Sequence, residues 1–232
     1  MIKYTLIVLL FGLNSLLYSN PNSSKHYTAL IVPKNMDIAT KKERFYALLV
    51  PAIKKAHKKL SNKFMRVHRN IKYGGTKTEL KRLREKYRVK TNDELLIALK
   101  PHAPSIVIAQ AAMESAWGTS RFFIEANNVF GMWSNNKNEP RIAALEKRGG
   151  VHTIWLKKFT TIEDSIYAYY FLLARGKAYK EFRRIRYVSN DVFKLVSKLD
   201  KYSEIGSLYG EELSAMIRYN KLQQFDSPYL LD

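Results

Sequence analysis

The sequence predicts a mainly α-helical fold of the α+β class with one small β element. Apolar residues recur every three or four positions in several segments, which is typical of helices packed on a core. Partial alternation appears from Val151 to Phe159 and predicts a strand or hairpin arm. A chain of 232 residues with 46% hydrophobic content can bury a sizeable core. The sequence contains no cysteine, which excludes disulfides, thiolate nucleophiles and cysteine-ligated metals.

The first nineteen residues have the pattern of a secretory signal peptide. Lys3 is followed by an apolar stretch from Tyr4 to Leu13, and the small Ser19 precedes a polar segment. We expect cleavage near Ser19, a linker over residues 20–40, and export to the periplasm or cell envelope.

Residues 41–90 form a predicted basic helical extension with eighteen Lys or Arg residues and three acids. Apolar side chains at helical spacing predict one long helix with a buried face, which Pro51 kinks or restarts. Gly74 and Gly75 interrupt the pattern, and a shorter second helix follows. One interpretation is a helical hairpin with a solvated basic face. The other is a surface that binds wall polymer or membrane.

The formal net charge of +20 predicts a polyanionic partner. Inside a cell that partner would be nucleic acid, but the export signal argues against it. Outside the inner membrane the available polyanions are anionic lipid headgroups and peptidoglycan. We therefore expect contact with an anionic wall or membrane surface, no nucleic acid, and a monomer.

From residue 91 to residue 232 the composition is that of a globular domain. Thr91 predicts a helix start, and Ser105 predicts the start of a second helix that is apolar on nearly every side and runs into Glu114. A loop rich in Asn, Gly and charge is expected over residues 127–150. Further helices are predicted at Glu163 to Ala174, around Phe182, at Val192 to Leu199 and at Glu211 to Tyr219.

Glu114 is the first candidate for chemistry because it is an acid at the end of an apolar helix, with Trp117 one turn further on. Burial disfavours a carboxylate and raises its pKa, so that such a group can serve as a general acid near neutral pH. The alternative is a helix-end carboxylate that faces solvent or pairs with Arg121.

Three short stretches carry a resemblance to a known family. They are Ala109 to Gly118, Ser120-Arg121-Phe122, and Ala126-Asn127-Asn128-Val129-Phe130-Gly131. This pattern resembles the bacterial Bax-type proteins among the glucosaminidases of glycoside hydrolase family 73, over roughly residues 45–225. The resemblance implies a lysozyme-like fold and cleavage of the β-1,4 bond between N-acetylglucosamine and N-acetylmuramic acid in peptidoglycan glycan strands.

The resemblance also assigns catalytic residues. Glu114 stands at the family's general acid. Glu146 matches the second carboxylate of a β-lobe loop, with Glu139 as the next candidate, although Glu146 could equally pair with a neighbouring Lys or Arg on the surface. Tyr169 matches a tyrosine near the reacting sugar carbon.

Several aromatic residues are candidates for sugar contacts, because ring faces suit the apolar faces of pyranoses. Trp117, Phe130 and Trp133 are candidate stacking walls, with ordinary core packing as the alternative and as the preferred reading for Phe130. Tyr170 either packs in the core or flanks the groove. The stretches that carry the family resemblance also contain three substrate-binding candidates: Ser115, Asn128 and Gly131.

No cofactor or metal is expected, because the five histidines are scattered and show no metal-ligand spacing. Two routes can complete hydrolysis: Glu146 activates a water with inversion, or the substrate's own acetamido oxygen attacks. Two other functions stay open. One is a lytic transglycosylase, which forms an anhydro-sugar without water, and the other is a non-catalytic module that binds wall polymer or another polyanion.

Overall fold

The computed structural model describes residues 27–148 and 152–226, with only the backbone of residues 146–148. The expected signal peptide and the first part of the linker lie outside these residues. The described elements, in chain order, are α1 (Ile38–Lys72), α2 (Lys77–Tyr87), α3 (Asn92–Leu99), α4 (Pro104–Glu114), α5 (Arg121–Ala126), β1 (Arg141–Arg148), β2 (His152–Lys157), α6 (Ile162–Arg175), α7 (Lys180–Val188), α8 (Val192–Val196) and α9 (Ser207–Tyr219), with short 3-10 turns at Lys177–Tyr179 and Leu222–Phe225. The predicted mainly α class with a small β lobe is confirmed.

Helix α1 is a single helix of 35 residues that begins after Asp37, whose side chain accepts a hydrogen bond from the Thr40 N–H. It continues through Pro51, so the predicted restart is wrong. A proline removes one backbone hydrogen bond, and here the loss is offset by apolar burial on both sides of it. Leu49 and Ile53 are 0% and 1% exposed.

The first half of α1 belongs to the main hydrophobic core. Phe45, Leu49, Ile53 and Ala56 pack in one cluster with residues of α4, α6, α8 and α9. The basic extension predicted over residues 41–90 therefore shares its core with the domain that follows. Its lysine-rich face remains outside that core.

The second half of α1 packs in a smaller cluster with α2 and α3. Val67 meets Leu80, Leu83 and Tyr87 of α2 and Leu95 of α3. The predicted shorter helix is confirmed, with its apolar side chains on the buried face. Arg88 then ends α2 in the left-handed conformation, at φ 57°.

Helix α3 packs in the smaller cluster, and helix α4 packs in the main core. The predicted cap at Thr91 is present as a reciprocal pair, in which the Thr91 hydroxyl accepts from the Glu94 N–H and the Glu94 carboxylate accepts from the Thr91 N–H. Helix α4 begins at Pro104, one residue before the predicted cap. Within the described part of the chain no single helix is long and apolar enough to span a membrane, although α3 and α4, bent by 60°, meet that test as a pair.

Strands β1 and β2 form an antiparallel hairpin in which Arg141 pairs with Lys157 and Arg148 with His152. The register shifts between Ala143 and Lys147. Strand β2 was predicted. Strand β1 lies within the stretch predicted as a loop. The strand was not predicted because its charged and alanine-rich sequence has little β-propensity, and its conformation depends on pairing with β2.

Helices α6 to α9 complete the core close to their predicted positions. Thr161 and Asp164 cap α6 reciprocally. Helix α9 begins at Ser207, four residues before its predicted start, after Gly206 with φ 62°. A left-handed glycine marks this start better than the side-chain pattern does.

Candidate active site

Glu114 is the last residue of α4, and the nine residues from Pro104 to Ala112 before it are all buried. The chain then reverses direction through three successive left-handed residues: Ala116 at φ 50°, Trp117 at φ 60° and Gly118 at φ 72°. This turn ends the helix at the carboxylate itself. Glu114 is thereby half-buried, with its backbone anchored in the core and its side chain at the surface of the protein.

The Glu114 side chain receives a hydrogen bond from the core. The Tyr209 hydroxyl donates to Glu114 Oε1 at 2.7 Å, and the Tyr209 ring is stacked on Tyr202 with centroids 5.4 Å apart. Burial raises the pKa of Glu114 above its ordinary value, and the Tyr209 hydrogen bond partly opposes this because it favours the ionised form. On balance the pKa of Glu114 is raised.

A chain of buried hydrogen bonds continues from Tyr209 into the interior. Gln110 Nε2 donates to the Tyr209 hydroxyl at 3.0 Å, and the Tyr169 hydroxyl donates to Gln110 Oε1. His102 Nε2 lies 2.9 Å from the Tyr169 hydroxyl. Since that hydroxyl already donates to Gln110, His102 Nε2 carries the hydrogen and donates. Every donor in the chain therefore points towards Glu114.

This direction determines which Glu114 oxygen holds the acidic proton. Oε1 accepts from Tyr209, so in the neutral acid the proton lies on Oε2. The arrangement can deliver a proton to a group that approaches Oε2.

A family model described as mannosyl-glycoprotein endo-beta-N-acetylglucosaminidase matches residues 96–222, more than half of the chain. The chain belongs to this glucosaminidase family. The matched region includes Glu114, Tyr209 and every other residue of the hydrogen-bond chain.

Two curated relatives of the family resemble the chain over part of their length. Protein bax of Escherichia coli is 32% identical over 123 residues, which cover 50% of this chain and 42% of that protein. Exo-glucosaminidase LytG of Bacillus subtilis is 28% identical over 138 residues, which cover 53% of this chain and 46% of that protein. The chain thus spans less than half the length of either relative.

The fold is that of a known autolysin domain. The catalytic domain of the autolysin Auto from Listeria monocytogenes aligns with a TM-score of 0.51 at 18% identity, over 82% of this chain and 90% of that one. At this identity the likeness establishes the fold alone.

Tyr169 does not occupy the position expected from the glucosaminidase family resemblance. Its side chain is 0% exposed, and its ring is stacked on Phe130 at 4.1 Å. It therefore cannot touch a sugar in this arrangement. It is linked to Glu114 only through Gln110 and Tyr209.

Tyr209 is the tyrosine next to Glu114, and sequence reasoning did not select it. It lies 95 residues further along the chain. The stretch Tyr209-Gly210-Glu211-Glu212-Leu213 contributed to the family resemblance, but no local pattern distinguishes Tyr209 from the other fourteen tyrosines. Its partner Tyr202 was missed for the same reason.

Three of the predicted sugar-contacting aromatics are packed in the protein. Phe130 is 3% and Tyr170 4% exposed, so both side chains pack in the core, which is the preferred interpretation for Phe130 and one of the two for Tyr170. This burial does not support the substrate-binding role that was also predicted for them. Trp117 is half-buried against Phe45 of α1, with ring centroids 5.2 Å apart. The Lys42 ammonium lies 4.9 Å from the Trp117 ring centre. Core packing, the alternative reading, describes all three.

Ser115 and Asn128 also have structural positions. Ser115 is 0% exposed, and its hydroxyl accepts from the Gly118 N–H at 2.8 Å, which closes the turn after Glu114. Asn128 is 1% exposed and bonds to the backbone of Met132 and Lys157. Neither side chain is accessible to a substrate, so the binding role predicted for both is wrong.

Trp133 and Gly131 remain accessible. Trp133 is 51% exposed and its backbone pairs with Leu156 of β2, which places the indole at the edge of the hairpin. Gly131 has φ 61°, and a Cβ there would meet no atom within 4 Å. The positive φ of Gly131 favours glycine at this position. Trp133 is the remaining exposed candidate for sugar stacking.

The two candidates for a second carboxylate, Glu146 and Glu139, differ in how much of their surroundings the structure describes. The backbone of Glu146 lies in β1, where the register with β2 shifts, and its side chain lies outside the described residues. Glu139 accepts from Lys157 Nζ at 2.8 Å and from the Ser134 hydroxyl at 2.7 Å, and these bonds lower its pKa. Glu139 is therefore held by Lys157 of β2 and by Ser134 before the hairpin. Among the described side chains no group of three or more His, Asp or Glu residues could hold a metal ion.

Proposed function

We propose that the chain is a peptidoglycan hydrolase that cleaves the β-1,4 bond between N-acetylglucosamine and N-acetylmuramic acid, with Glu114 as the general acid. Family membership supports the reaction class. The observation that carries the assignment to Glu114 is its half-buried carboxyl with a raised pKa, held by Tyr209 at the end of a buried helix.

In the proposed first step, Glu114 Oε2 transfers its proton to the glycosidic oxygen. The bond from that oxygen to the anomeric carbon breaks, and positive charge develops on the sugar. Glu114 becomes a carboxylate, which the Tyr209 hydroxyl stabilises by donating to Oε1. The same hydrogen bond therefore contributes more after proton transfer than before it, as an interaction that lowers the barrier must.

Two routes complete hydrolysis in this proposal. Glu146 activates a water on the opposite sugar face, or the acetamido oxygen of the substrate attacks the anomeric carbon. Inversion at the anomeric carbon, together with inactivity of Glu146→Gln, would indicate the first route. Retention with an active Glu146→Gln protein would indicate the second.

Glu114→Gln tests the central assignment. The amide keeps the shape but has no acidic proton, and general acid catalysis typically contributes about 10²- to 10⁴-fold. We expect at least a 100-fold loss of reducing ends released from purified peptidoglycan. Glu125→Gln is the matched control, since Glu125 forms an exposed ion pair with Arg121. Equal activity of Glu114→Gln and wild type would refute the proposal.

The products decide between related reactions. Mass spectrometry of digested peptidoglycan would show hydrated reducing ends for a hydrolase and anhydro-sugars for a lytic transglycosylase. The sizes of the fragments separate endo cleavage, which the family description names, from exo cleavage, which the name of the B. subtilis relative gives. We propose the endo mode.

We also propose that the chain acts outside the inner membrane, in the periplasm or cell envelope, as the signal pattern of residues 1–19 predicts. The net charge of +20 would hold it on an anionic wall or membrane surface. This contact weakens as salt rises, because exposed charges are screened.

A further inference from the structure

A cavity lies between helices α1, α2, α3, α6 and α7 and does not include Glu114. Its volume is about 470 Å³, within the range of pockets that hold small molecules. Five of its fifteen lining residues are basic and none is acidic: Lys59, Lys63, Lys86, Lys100 and Arg186. The proposed wall-cutting reaction uses none of them.

Arg186 is the buried cation of this cavity. It is 2% exposed, its Nη2 donates to the carbonyls of Ile97 and Ala98, and its Nε has no hydrogen-bond partner among the described residues. Burial and, to a smaller extent, the neighbouring Arg183 lower its pKa to about 9. A buried cation without a carboxylate partner is costly unless an anion compensates it.

The lysines add positive charge at the same place. Lys63 donates to the Tyr87 hydroxyl at 3.0 Å, and Lys100 donates to the Tyr187 carbonyl at 3.1 Å. Burial lowers the pKa of both amines, and nearby guanidinium groups lower it further. Within the described part of the chain none of the five cations forms an ion pair with a carboxylate.

The remaining walls are aromatic and aliphatic. Tyr87, Tyr167, Tyr170 and Phe171 line the cavity together with Leu60, Leu99, Pro101 and three alanines. The Lys59 ammonium lies 4.8 Å from the ring centre of Tyr167, and the Lys86 ammonium lies 5.5 Å from that of Phe171. An occupant would therefore meet cations at several points and apolar surface between them.

We propose that this cavity binds a small organic anion that carries one carboxylate or phosphate head on a compact apolar body. The head pairs with Arg186, Lys63 and Lys100, and the body packs on the aromatic walls. The proposal is independent of the enzymatic activity, because it rests on a cavity that does not include Glu114.

Thermal unfolding of the intact protein at constant ionic strength tests this binding. The probes are inorganic phosphate and N-acetyl-alanine, with uncharged N-acetyl-alaninamide as the matched control. A ligand at about ten times its Kd should raise the Tm by about 3–5 °C. A response to phosphate assigns a phosphate head, and a response to N-acetyl-alanine assigns a carboxylate head. No rise with either anion, or an equal rise with the amide, overturns the proposal.

Paired charge variants locate the effect. Lys63→Gln/Lys100→Gln removes two cations of the cavity, and Lys54→Gln/Lys81→Gln removes two exposed cations of α1 and α2 that do not line it. We expect the first pair to lose the Tm rise and the second to keep it. If the first pair does not fold, Lys59→Gln/Lys86→Gln at the cavity rim replaces it. Equal responses in cavity and control variants would mean non-specific attraction to a basic protein and would overturn the proposal.

Discussion

At the scale of single residues, Tyr209 adjusts the ionisation of Glu114, because burial raises the pKa of that carboxyl and the Tyr209 hydrogen bond partly lowers it. Its hydroxyl is held by Gln110 so that the hydrogen points to Glu114 Oε1. A tyrosine free to rotate could accept from the acid instead, and would then stabilise the neutral form. The orientation of the Gln110 amide is therefore as important to the site as the Tyr209 hydroxyl itself.

Tyr209→Phe should shift the pH dependence of wall cleavage to higher pH. A general acid works while protonated, so activity falls as pH rises through the pKa of Glu114. Loss of a hydrogen bond that favours the carboxylate raises this pKa further. We expect the alkaline limb of kcat/KM to move to higher pH, with a lower maximum rate. A limb that moves to lower pH would contradict the assigned direction of the bond.

Tyr169→Phe should reduce the rate although Tyr169 cannot contact substrate. Gln110 Oε1 would lose its donor, and the amide could then rotate so that its oxygen faces Tyr209. The Tyr209 hydroxyl would donate to Gln110 instead of to Glu114. We expect about a tenfold lower kcat with KM unchanged, the pattern for an interaction made in the transition state.

Tyr170→Phe is the matched control for that variant. Tyr170 is the adjacent buried tyrosine, and its hydroxyl donates to the His102 carbonyl at 3.3 Å, outside the chain that reaches Glu114. Its kcat should stay within about twofold of wild type. Equal losses in both variants would indicate general damage to the core.

The sequence predicted Glu114 and its raised pKa, because an acid that ends an apolar helix is a local pattern. It did not predict the hydrogen-bond chain, whose members come from the α3–α4 connection, α4, α6 and α9. Ser115 lies next to Glu114 along the chain and Asn128 lies in the loop after α5. Both were predicted to bind substrate, yet both side chains are buried. Proximity in sequence cannot distinguish the two faces of a turn.

At the scale of elements, the β hairpin is attached to the helices through Asn128. Its amide donates to the carbonyls of Met132 and Lys157 at 2.9 Å each, and its oxygen accepts from the Met132 N–H at 2.9 Å. The three bonds join the loop after α5 to the end of β2. The Glu139–Lys157 ion pair then reinforces the same corner.

Asn128→Ala should destabilise the protein by about 2–4 kcal/mol, because the change leaves buried backbone groups without partners. Urea unfolding followed by circular dichroism measures this directly. Asn135→Ala, an exposed position in the same loop, should change stability by less than about 0.5 kcal/mol. A similar small effect at Asn128 would show that water replaces its bonds.

Helices with a clear apolar stripe were predicted within a few residues, as α2, α3 and α6 show. The predicted helix boundaries are wrong where tertiary packing, and not the local sequence, determines whether the helix continues. Pro51 was expected to interrupt α1, but the residues on either side are buried and keep the helix intact. Helix α5 has only six residues, too few for a periodic pattern to be visible.

At the scale of the whole molecule, stability should depend on two histidines, of which His102 is buried and His57 half-buried. Burial lowers the pKa of His57 to about 4 from 6.5, and that of the fully buried His102 well below its usual range. The folded protein thus holds these rings neutral, while the unfolded chain takes up protons below about pH 6.5. Stability is present above that pH and is lost as pH falls towards 4.

His57→Gln should flatten this acid sensitivity. Between about pH 7.5 and about pH 5, the His57 shift alone costs the wild type up to about 2 kcal/mol, and the variant should lack that part. Urea unfolding at both pH values measures the difference. Lys54→Gln, an exposed change on the same helix, should retain the full loss. An unchanged slope in His57→Gln would show that its ring is hydrated.

The buried chain that begins at His102 also limits how Glu114 would recover its proton in the proposed reaction. His102 Nδ1 has no hydrogen-bond partner among the described residues, so this chain does not link Glu114 to a further proton donor in the described interior. The proton that Glu114 gives up would therefore return from outside the core, from the water that completes hydrolysis or from bulk solvent. A bound product that shields the carboxylate from water would delay this return and with it the next turnover.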